Sequence, residues 1–138
     1  MSYIHSVTAQ MEALFDRCNS IIHCVGLEGK YGVVVETSGG GEHSKLLGYM
    51  EAAVNTVGAQ SVGGIASVMA GFRTFPQEDA LFVTAQELGM CLCRSMEQKS
   101  HFPEQDAYLS AFRYRMMKLV EYRQKEWIYE YEFWKARI

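Results

Sequence analysis

The positions of apolar residues predict two amphipathic helices in the first part of the chain. Within residues 7–18 and 42–57, apolar side chains recur at i, i+4, i+7, i+8 and i+11, the spacing of one face of an α-helix. Ser6, or Ser2 about one turn earlier, is suited to cap the first helix, and Gly58 is suited to end the second. Both segments are therefore predicted as helices that bury one face.

Five shorter segments have the composition of β-strands. Residues 20–26 and 31–37 are rich in β-branched and other apolar residues, and the short glycine-containing connection between them predicts a hairpin. Both are almost continuously apolar, so helices are expected on both faces of the sheet. Residues 64–75 look like a weak helix, but their glycine, β-branched and aromatic content favours a strand. Residues 80–85 and 89–95 predict a second hairpin.

Pro103 begins the last predicted helix, at a position where its missing N–H costs nothing. An unbroken helix from Pro103 to Arg137 would be about 50 Å long, whereas a domain of this size is under roughly 40 Å across. The C-terminal end is therefore expected to overhang, to bend or to stop being helical. The apolar stripe of this helix comprises Leu109, Phe112, Met116, Leu119 and Val120. The predicted order of elements is α-β-β-α-β-β-β-α in a single α+β domain.

Composition narrows the classes of function. The chain has 138 residues, of which 49% are hydrophobic and 21% charged, so one globular domain is expected. Its net charge of −3 excludes the basic field that nucleic-acid binding requires. No apolar run is long enough to cross a bilayer, and the beginning of the sequence has no signal-peptide pattern. The four cysteines are therefore expected to be reduced thiols, which predicts a cytoplasmic protein.

Residues 38–45 (SGGGEHSK) form a glycine-rich loop between a predicted strand and a predicted helix. Such loops can hold phosphate on backbone N–H groups at a helix N-terminus. The Gly-Lys-Ser/Thr triplet of a P-loop is missing, and Glu42 adds a negative charge where a phosphate would bind. The sequence therefore favours a flexible glycine turn over a phosphate site.

The chain contains residue types that bind metals or act in catalysis, but not the patterns that either chemistry requires. No Cys-x₂-Cys pair is present, and no serine lies in a G-x-S-x-G nucleophile motif. Each cysteine lies in an apolar pattern in which it acts as a small hydrophobe. The candidate metal ligands are Cys18, His23, Cys24, Cys91 and Cys93. We expect no metal, no cofactor and no catalytic residue, and we predict that the chain is not an enzyme.

Residues 127–134 (WIYEYEFW) contain five aromatic side chains. Tryptophan and tyrosine are the residues that protein interfaces use as anchors, so Trp127, Tyr131 and Trp134 are candidates for binding a partner. The alternative is that this aromatic tail folds back and covers the domain's own sheet. The sequence does not decide between the two.

The order of elements and two local stretches resemble the roadblock/dynein light chain family. Residues 81–93 (LFVTAQELGMCLC) are similar to the fourth and fifth strands of that family, and residues 24–36 (CVGLEGKYGVVVE) are similar to its first hairpin. The resemblance covers roughly residues 5–120. It implies a profilin-like α+β domain at 1–125, with helices packed on an antiparallel five-stranded sheet. An aromatic extension of the last helix follows at 126–138.

The resemblance also implies a function. Members of this family are generally not enzymes, and in bacterial and archaeal relatives a dimer docks a Ras-like small GTPase. The implied homodimer pairs its third strands edge to edge, which removes an open sheet edge. The second helices then meet each other or the GTPase. The residues carried over are Ala66, Val68 and Ala70 in the pairing strand, and Leu46, Tyr49 and Met50 on the second helix.

Two functions follow as hypotheses. The first is a non-catalytic dimeric adaptor or regulator that binds a Ras-like small GTPase or acts as a scaffold in a larger assembly. The alternative is a domain that senses or sequesters a small nucleotide-like ligand. That alternative needs a polar pocket between the sheet and the last helix, with His23 or Arg73 facing into it. Neither hypothesis involves nucleic acid or a membrane.

Overall fold

The computed structural model of the protein describes residues 6–40, 43–72 and 74–137. Within these ranges the chain forms an α+β fold with six helices and a two-stranded parallel sheet. The predicted antiparallel five-stranded sheet is therefore wrong. The elements in chain order are α1 (Ala9–Arg17), α2 (Asn19–His23), β1 (Tyr31–Ser38), α3 (His43–Thr56), β2 (Gln60–Val68), α4 (Glu78–Gln98), α5 (Pro103–Tyr122) and α6 (Ile128–Lys135).

Strands β1 and β2 run parallel and are joined by α3, which makes a β–α–β unit. Their register runs from Tyr31 opposite Gln60 to Ser38 opposite Val68, with one irregularity after Gly32. Parallel neighbours need a crossover of about a dozen residues or more, and the 14-residue α3 supplies it. The continuous apolar run in β1 is typical of a parallel strand that is covered on both faces.

Helices α3 and α4 lie on opposite faces of the sheet. A Cβ atom on Gly64 would lie 2.5 Å from Val34 and 3.0 Å from Leu47 of α3, so the close approach of α3 requires glycine there. A Cβ atom on the neighbouring Gly63 would instead meet Leu88 of α4 at 3.6 Å. Because neighbouring residues of a strand point to opposite faces, the two helices sandwich the sheet. Helices therefore lie on both faces of the sheet, but the α4 side leaves Val35 of β1 61% exposed.

Residues 20–26, predicted as a strand, form most of the short helix α2 and the turn after it. The amide of Ile22 donates to the carbonyl of Cys18 at 2.8 Å. Val25 follows with a left-handed backbone (φ 49°) and is fully buried. The first predicted hairpin is wrong. The prediction failed because so short an apolar run does not show by its periodicity whether it is a helix or a strand.

Residues 80–95, predicted as a second hairpin, lie within the 21-residue helix α4. Leu81, Leu88 and Leu92 are half-buried and follow the helical spacing i, i+7 and i+11, so one side of α4 faces the sheet. The β-branched and aromatic residues at the start of this segment outweighed that spacing in the sequence prediction. The second hairpin is therefore wrong as well.

A strand was predicted at 64–75, and the structure has β2 at Gln60–Val68 instead. Two residues later the amide of Ala70 donates to the carbonyl of Thr74 at 2.8 Å, which closes a turn. Only the first half of the predicted strand is therefore extended. Arg73, a candidate for the predicted ligand pocket, lies outside the described residues.

Three of the predicted helices are confirmed as α1, α3 and α5. The N-cap of α1 is Thr8 instead of Ser6, because the Thr8 hydroxyl accepts a hydrogen bond from the amide of Met11 at 3.3 Å. Ser2, the other candidate cap, lies outside the described residues. Helix α5 begins at Pro103 as predicted. No helix in the described ranges is long and apolar enough to cross a membrane.

The main hydrophobic core lies among α5, α6 and the turn after α2. Its buried residues are Val25, Phe112, Met116, Val120 and Trp134. The chain turns between α5 and α6, so α6 packs back against α5. The chain therefore bends after α5, and the aromatic tail folds back onto α5 and the turn after α2 instead of onto the sheet.

Candidate functional site at the carboxyl edge of the sheet

The carboxyl ends of β1 and β2 lie side by side. The amide of Met69 donates to the carbonyl of Ser38 at 2.8 Å and joins the two strand ends. In open α/β sheets, ligands bind outside this edge, because the loops leave the strands there and helix N-termini point back toward it. The residues that follow β1 and β2 are therefore the first candidates for a functional site.

A glycine turn leaves the end of β1. Ser38 is buried, and its hydroxyl oxygen accepts a hydrogen bond from the amide of Gly40 at 3.4 Å. Gly40 has φ 152°, a conformation that residues with a side chain rarely adopt. Among the described residues, nothing lies within 4 Å of the Cβ positions of Gly39 and Gly40. The space beside Gly39 and Gly40 is therefore open, the amide of Gly40 is held by Ser38, and α3 begins shortly after the turn.

The first residue of α3, His43, is paired with a buried acid. Its Nδ1 lies 3.2 Å from Oε2 of Glu36, whose side chain is 4% exposed. Because a carboxylate only accepts, Nδ1 carries the hydrogen of this bond. The other ring nitrogen, Nε2, is buried and has no hydrogen-bond partner within the part of the chain that the structure describes. Buried polar atoms in folded proteins are nearly always paired, so Nε2 is expected to have a partner, such as a water, that the described residues do not supply.

The turn after β2 presents an aromatic side chain at the same edge. Phe72 is 90% exposed. Its backbone is held by the turn that Ala70 closes with Thr74, and the Thr74 hydroxyl donates to the Phe72 carbonyl at 3.3 Å. An exposed aromatic ring is suited to stack on the flat ring of a ligand.

The N-terminus of α1 reaches the same half of β1. Val7 and Thr8, which precede α1, line a small cavity of about 70 Å³ together with Val35 and Glu36 of β1. The N-termini of α1 and α3 therefore both approach the carboxyl half of β1. Each contributes partial positive charge there, because the N–H groups of a first helical turn lack partners in the helix.

A larger cleft, of about 780 Å³, lies at the opposite, amino edge of the sheet. Its acidic side chains already have partners, since Glu28 is 2.9 Å from Arg113 and Asp106 is hydrogen-bonded by Gln60. The polar groups of this cleft therefore bond largely to one another. The carboxyl edge, with open backbone groups and an unpaired nitrogen, is the better candidate for a ligand site.

The residues predicted for a dimer contact lie in different environments. Leu46 is buried inside the chain, where α3 packs on the sheet, and Met50 is half-buried on the same helix. Ala66 and Val68 are half-buried in β2, whereas Ala70 is exposed in the turn after it. Burial of Leu46 makes it unavailable to a twin helix in this conformation. Dimer contacts by the other four stay a prediction.

The aromatic residues predicted for partner binding are partly used within the chain. Trp134 is buried and its Nε1 donates to the carbonyl of His23 at 2.9 Å. Trp127 stacks on the His23 ring with 4.1 Å between centroids, and Tyr131 packs against the core. Tyr49 is 44% exposed on α3. Partner binding by these four aromatics stays a prediction, and His23 faces the aromatic tail instead of a pocket between the sheet and α5.

The candidate metal ligands are spread over two regions. Three lie around α2 and two are exposed on α4; they are Cys18, His23 and Cys24, and Cys91 and Cys93. In the described ranges, no three His, Cys, Asp or Glu side chains are placed to hold a metal ion. Burial, together with the charge of Glu130, raises the pKa of the Cys24 thiol to about 11. This thiol is therefore protonated at neutral pH, and metals bind the thiolate.

Two parts of the candidate site were not predicted from the sequence, namely the pair of Glu36 with His43 and the exposed Phe72. The glycine loop itself was visible, because a run of three glycines follows a continuous apolar strand. The loop lacks the spacing of a P-loop, so the sequence alone favours a flexible turn there over a phosphate site. No signal in the sequence places Phe72 and Gly40 at the same edge of the sheet, since that placement depends on the parallel pairing of β1 with β2.

No family model, curated protein or solved structure matches this chain at a significant level. The resemblance to the roadblock/dynein light chain family therefore stays a prediction from the sequence. The geometry of the carboxyl edge is the ground on which a function can be proposed.

Proposed function

We propose that this chain binds a small nucleotide-type ligand, a phosphate-bearing aromatic heterocycle, at the carboxyl edge of its parallel sheet. The observation that carries the proposal is the turn Ser38-Gly39-Gly40, which lies between β1 and the N-terminus of α3 in a β–α–β unit. Doubly wound α/β proteins bind mononucleotides and dinucleotides at this position. The proposal keeps the ligand class of the second sequence hypothesis but moves its site.

The glycine turn and α3 are suited to the phosphate part of the ligand. Open backbone N–H groups and the partial positive charge of a helix N-terminus both attract an anion. With 14 residues, α3 is long enough to carry the partial positive charge of a helix N-terminus. Because the lysine of a P-loop is missing, the backbone would hold the phosphate, and we expect weak affinity for inorganic phosphate alone.

Phe72 and His43 are suited to the ring part of the ligand. The exposed side chain of Phe72 offers a face for stacking, and Nε2 of His43 offers an unpaired polar atom. A stacked aromatic pair contributes about 0.5–1.5 kcal/mol beyond the area that it buries. A ligand with both a phosphate and an aromatic ring would use the turn and these side chains together.

A thermal-shift and calorimetric screen of the purified chain against FMN, ATP, NADPH and inorganic phosphate tests the proposal. A ligand at about a hundred times its Kd should add about 2.7 kcal/mol to the free energy of unfolding. The expected result is binding of at least one nucleotide and much weaker binding of phosphate. Failure of every nucleotide to stabilise the protein would contradict the proposal.

Two pairs of variants locate the site. Gly40→Val should lower the affinity by roughly tenfold, about 1.4 kcal/mol, because a β-branched residue strains this backbone and covers the turn. Gly29→Val is its control, since Gly29 also has a positive φ and open surroundings but lies at the amino edge. Phe72→Ala should also weaken binding, whereas Tyr122→Ala, which removes another highly exposed ring, should not. Equal effects of the two glycine variants would argue against this site.

The dimeric adaptor for a Ras-like small GTPase stays a prediction of the sequence resemblance. The strand pairing that it requires belongs to a five-stranded sheet, and the described residues form a sheet of two strands. We therefore place ligand binding first. The predicted lack of enzymatic activity and the predicted cytoplasmic location stay predictions as well.

A further inference from the structure

Helix α4 is long, yet the chain covers little of it. Of its 21 residues only Ser95 is buried. On its outer side Phe82, Val83 and Met90 are 62%, 52% and 55% exposed. Val83 and Met90 lie two turns apart on one side of the helix with Gln86 and Glu87 between them, and Phe82 lies about 100° around the helix from Val83. This mixture of exposed apolar and polar side chains matches the composition of protein–protein interfaces.

A glycine lies in the middle of this exposed helix. Within the described part of the chain, nothing comes within 4 Å of the Cβ position of Gly89. Gly89 lines a shallow groove along α4 with Gln86, Met90 and Cys93. A glycine inside a helix costs about 0.5–1 kcal/mol relative to alanine, and the space that it leaves is not filled by any described residue. A second backbone that packs on α4 would fill it.

The sheet beside α4 also has an uncovered apolar position. Val34 lies with Leu47 on the α3 side of the sheet, so its neighbour Val35 points to the α4 side. Val35 is 61% exposed, which shows that α4 does not cover this part of β1. One face of the molecule therefore combines an uncovered helix with an uncovered strand.

The accessible surface area indicates how much surface a partner could still cover. The chain exposes 9388 Å², whereas a folded monomer of 15.6 kDa is expected to expose about 7,200 Å². Each partner in a stable protein interface contributes roughly 800 Å². The excess surface of this chain is large enough for such an interface.

We propose that a second copy of this chain docks on this face, with the two α4 helices side by side between the two sheets. Each α4 then packs on its own sheet through its leucines. Phe82 and Met90 on its outer side pack over Val35 of the other copy. A two-fold axis makes the contact self-complementary, because each copy supplies one uncovered helix and one uncovered strand face. Gly89 allows the two helices to approach closely.

The charges along the groove fit a second copy better than a partner of a single charge sign. Arg94 and Glu97 both line it. Two-fold pairing can place the cation of one copy against the acid of the other, whereas a strongly acidic or basic partner would meet a like charge at one of them. The net charge of −3 opposes self-association only weakly. This interface is independent of the proposed ligand site.

Size-exclusion chromatography with light scattering tests the interface, and the wild-type chain is expected to be a dimer. Met90→Glu and Phe82→Glu would each bury an unpaired charge in the contact and should give monomers. Both side chains are exposed in the single chain, so the fold should persist, as circular dichroism can verify. Tyr122→Glu, at a residue 84% exposed on α5, is the control and should remain dimeric. A monomeric wild type, or a dimer that survives both α4 charges, would overturn the proposal.

Cysteine cross-linking checks the placement of the helices. Cys93 lines the groove, whereas Cys91 lies about 200° away around α4; both thiols are exposed. A short bismaleimide should link two copies through Cys93. Cys93→Ser should therefore abolish the cross-linked dimer and Cys91→Ser should retain it. A cross-link that depends on Cys91 instead would overturn the proposed contact.

Discussion

Helices α4 and α5 have nearly equal lengths but very different surroundings. Helix α5 has 20 residues and buries Phe112, Met116 and Val120, whereas α4 has 21 residues and buries only Ser95. Helix α5 is enclosed because α6 folds back on it and the turn after α2 inserts Val25. Helix α4 has the sheet on one side and no described element over its outer side. An apolar stripe becomes a core only where the chain brings a second surface to it.

The enclosed side, formed by α2, α5 and α6, is fastened by contacts between segments that are distant in the chain. The Trp134 indole donates to the carbonyl of His23 at 2.9 Å. The Ser20 hydroxyl donates to the buried Glu130 at 2.5 Å, so the burial of this acid is compensated by a hydrogen bond. These contacts are made between residues of the same chain. We therefore expect the stability of the monomer to depend on this side more than on α4.

Removing one aromatic ring from each side tests that expectation most directly. Trp134→Ala deletes a buried ring and its hydrogen bond, and should lower the free energy of unfolding by about 3–5 kcal/mol. Phe82→Ala removes an exposed ring from α4. It should change the free energy of unfolding by less than about 0.5 kcal/mol at low protein concentration, where the copies are separate. Urea denaturation measures both values. Similar losses of free energy would show that the two sides contribute equally to the stability of the monomer.

A pair of glycines sharpens the comparison by testing how closely the enclosed side fits the β–α–β unit. A Cβ atom on Gly58 would lie 2.6 Å from Val25, whereas one on Gly29 would meet nothing within 4 Å in the described ranges. Both glycines have positive φ, so alanine strains the backbone at both, but only Gly58→Ala adds a clash. We expect thermal denaturation to give a loss of about 3 kcal/mol for Gly58→Ala and about 1 kcal/mol for Gly29→Ala. Equal losses would mean that the Val25 side chain moves away from the added methyl group at no cost in free energy.

The thiols of the two sides should differ in their effect on the pH dependence of stability. Burial and the charge of Glu130 raise the pKa of Cys24 from 9.0 to about 11, whereas Cys91 of α4 is exposed. The folded chain thus holds the Cys24 proton more tightly than the unfolded chain. The resulting stabilisation is complete below about pH 9 and is lost as the pH rises through about 11.

Over this range the loss from Cys24 should be about 1–2 kcal/mol. Urea denaturation at about pH 8 and about pH 11 should therefore show a smaller pH dependence in Cys24→Ala than in the wild type. Cys91→Ala should behave like the wild type, because its thiol is exposed. An unchanged pH dependence in Cys24→Ala would contradict the assignment.

The difference between the two sides also explains which elements could be predicted from the sequence. Helices α1, α3 and α5 have regular apolar stripes opposite polar ones, and periodicity identified them. In α4 the stripe of Leu81, Leu88 and Leu92 was present, but the exposed Phe82 and Val83 interrupted it and gave the segment a β-like composition. The residues that misled the prediction are the ones that the single chain leaves uncovered.

The direction of the strands depended on information that local patterns do not carry. The continuous apolar run of β1 was consistent with a parallel strand, but its neighbour β2 contains Gly63 and Gly64 and has a weak strand signal. Gly64 allows the close approach of Val34 and α3, and Gly63 has φ 134°, a conformation that residues with a side chain rarely adopt; neither cause is visible in a local pattern. The glycine loop of the candidate site could be seen in the sequence. Its position at the same edge as Phe72 could not, because that position follows from the pairing of the two strands.

The contact between His23 and Trp134 joins residues 111 positions apart. During synthesis at about 5–20 residues per second, Trp134 leaves the ribosome roughly 5–20 s after His23. Within that interval β2 also emerges, so the β–α–β unit can form while the apolar side chain of Val25 has not yet met α6. The nascent chain therefore presents this surface to chaperones until α6 emerges. The core around Val25 is closed only after the β–α–β unit is complete.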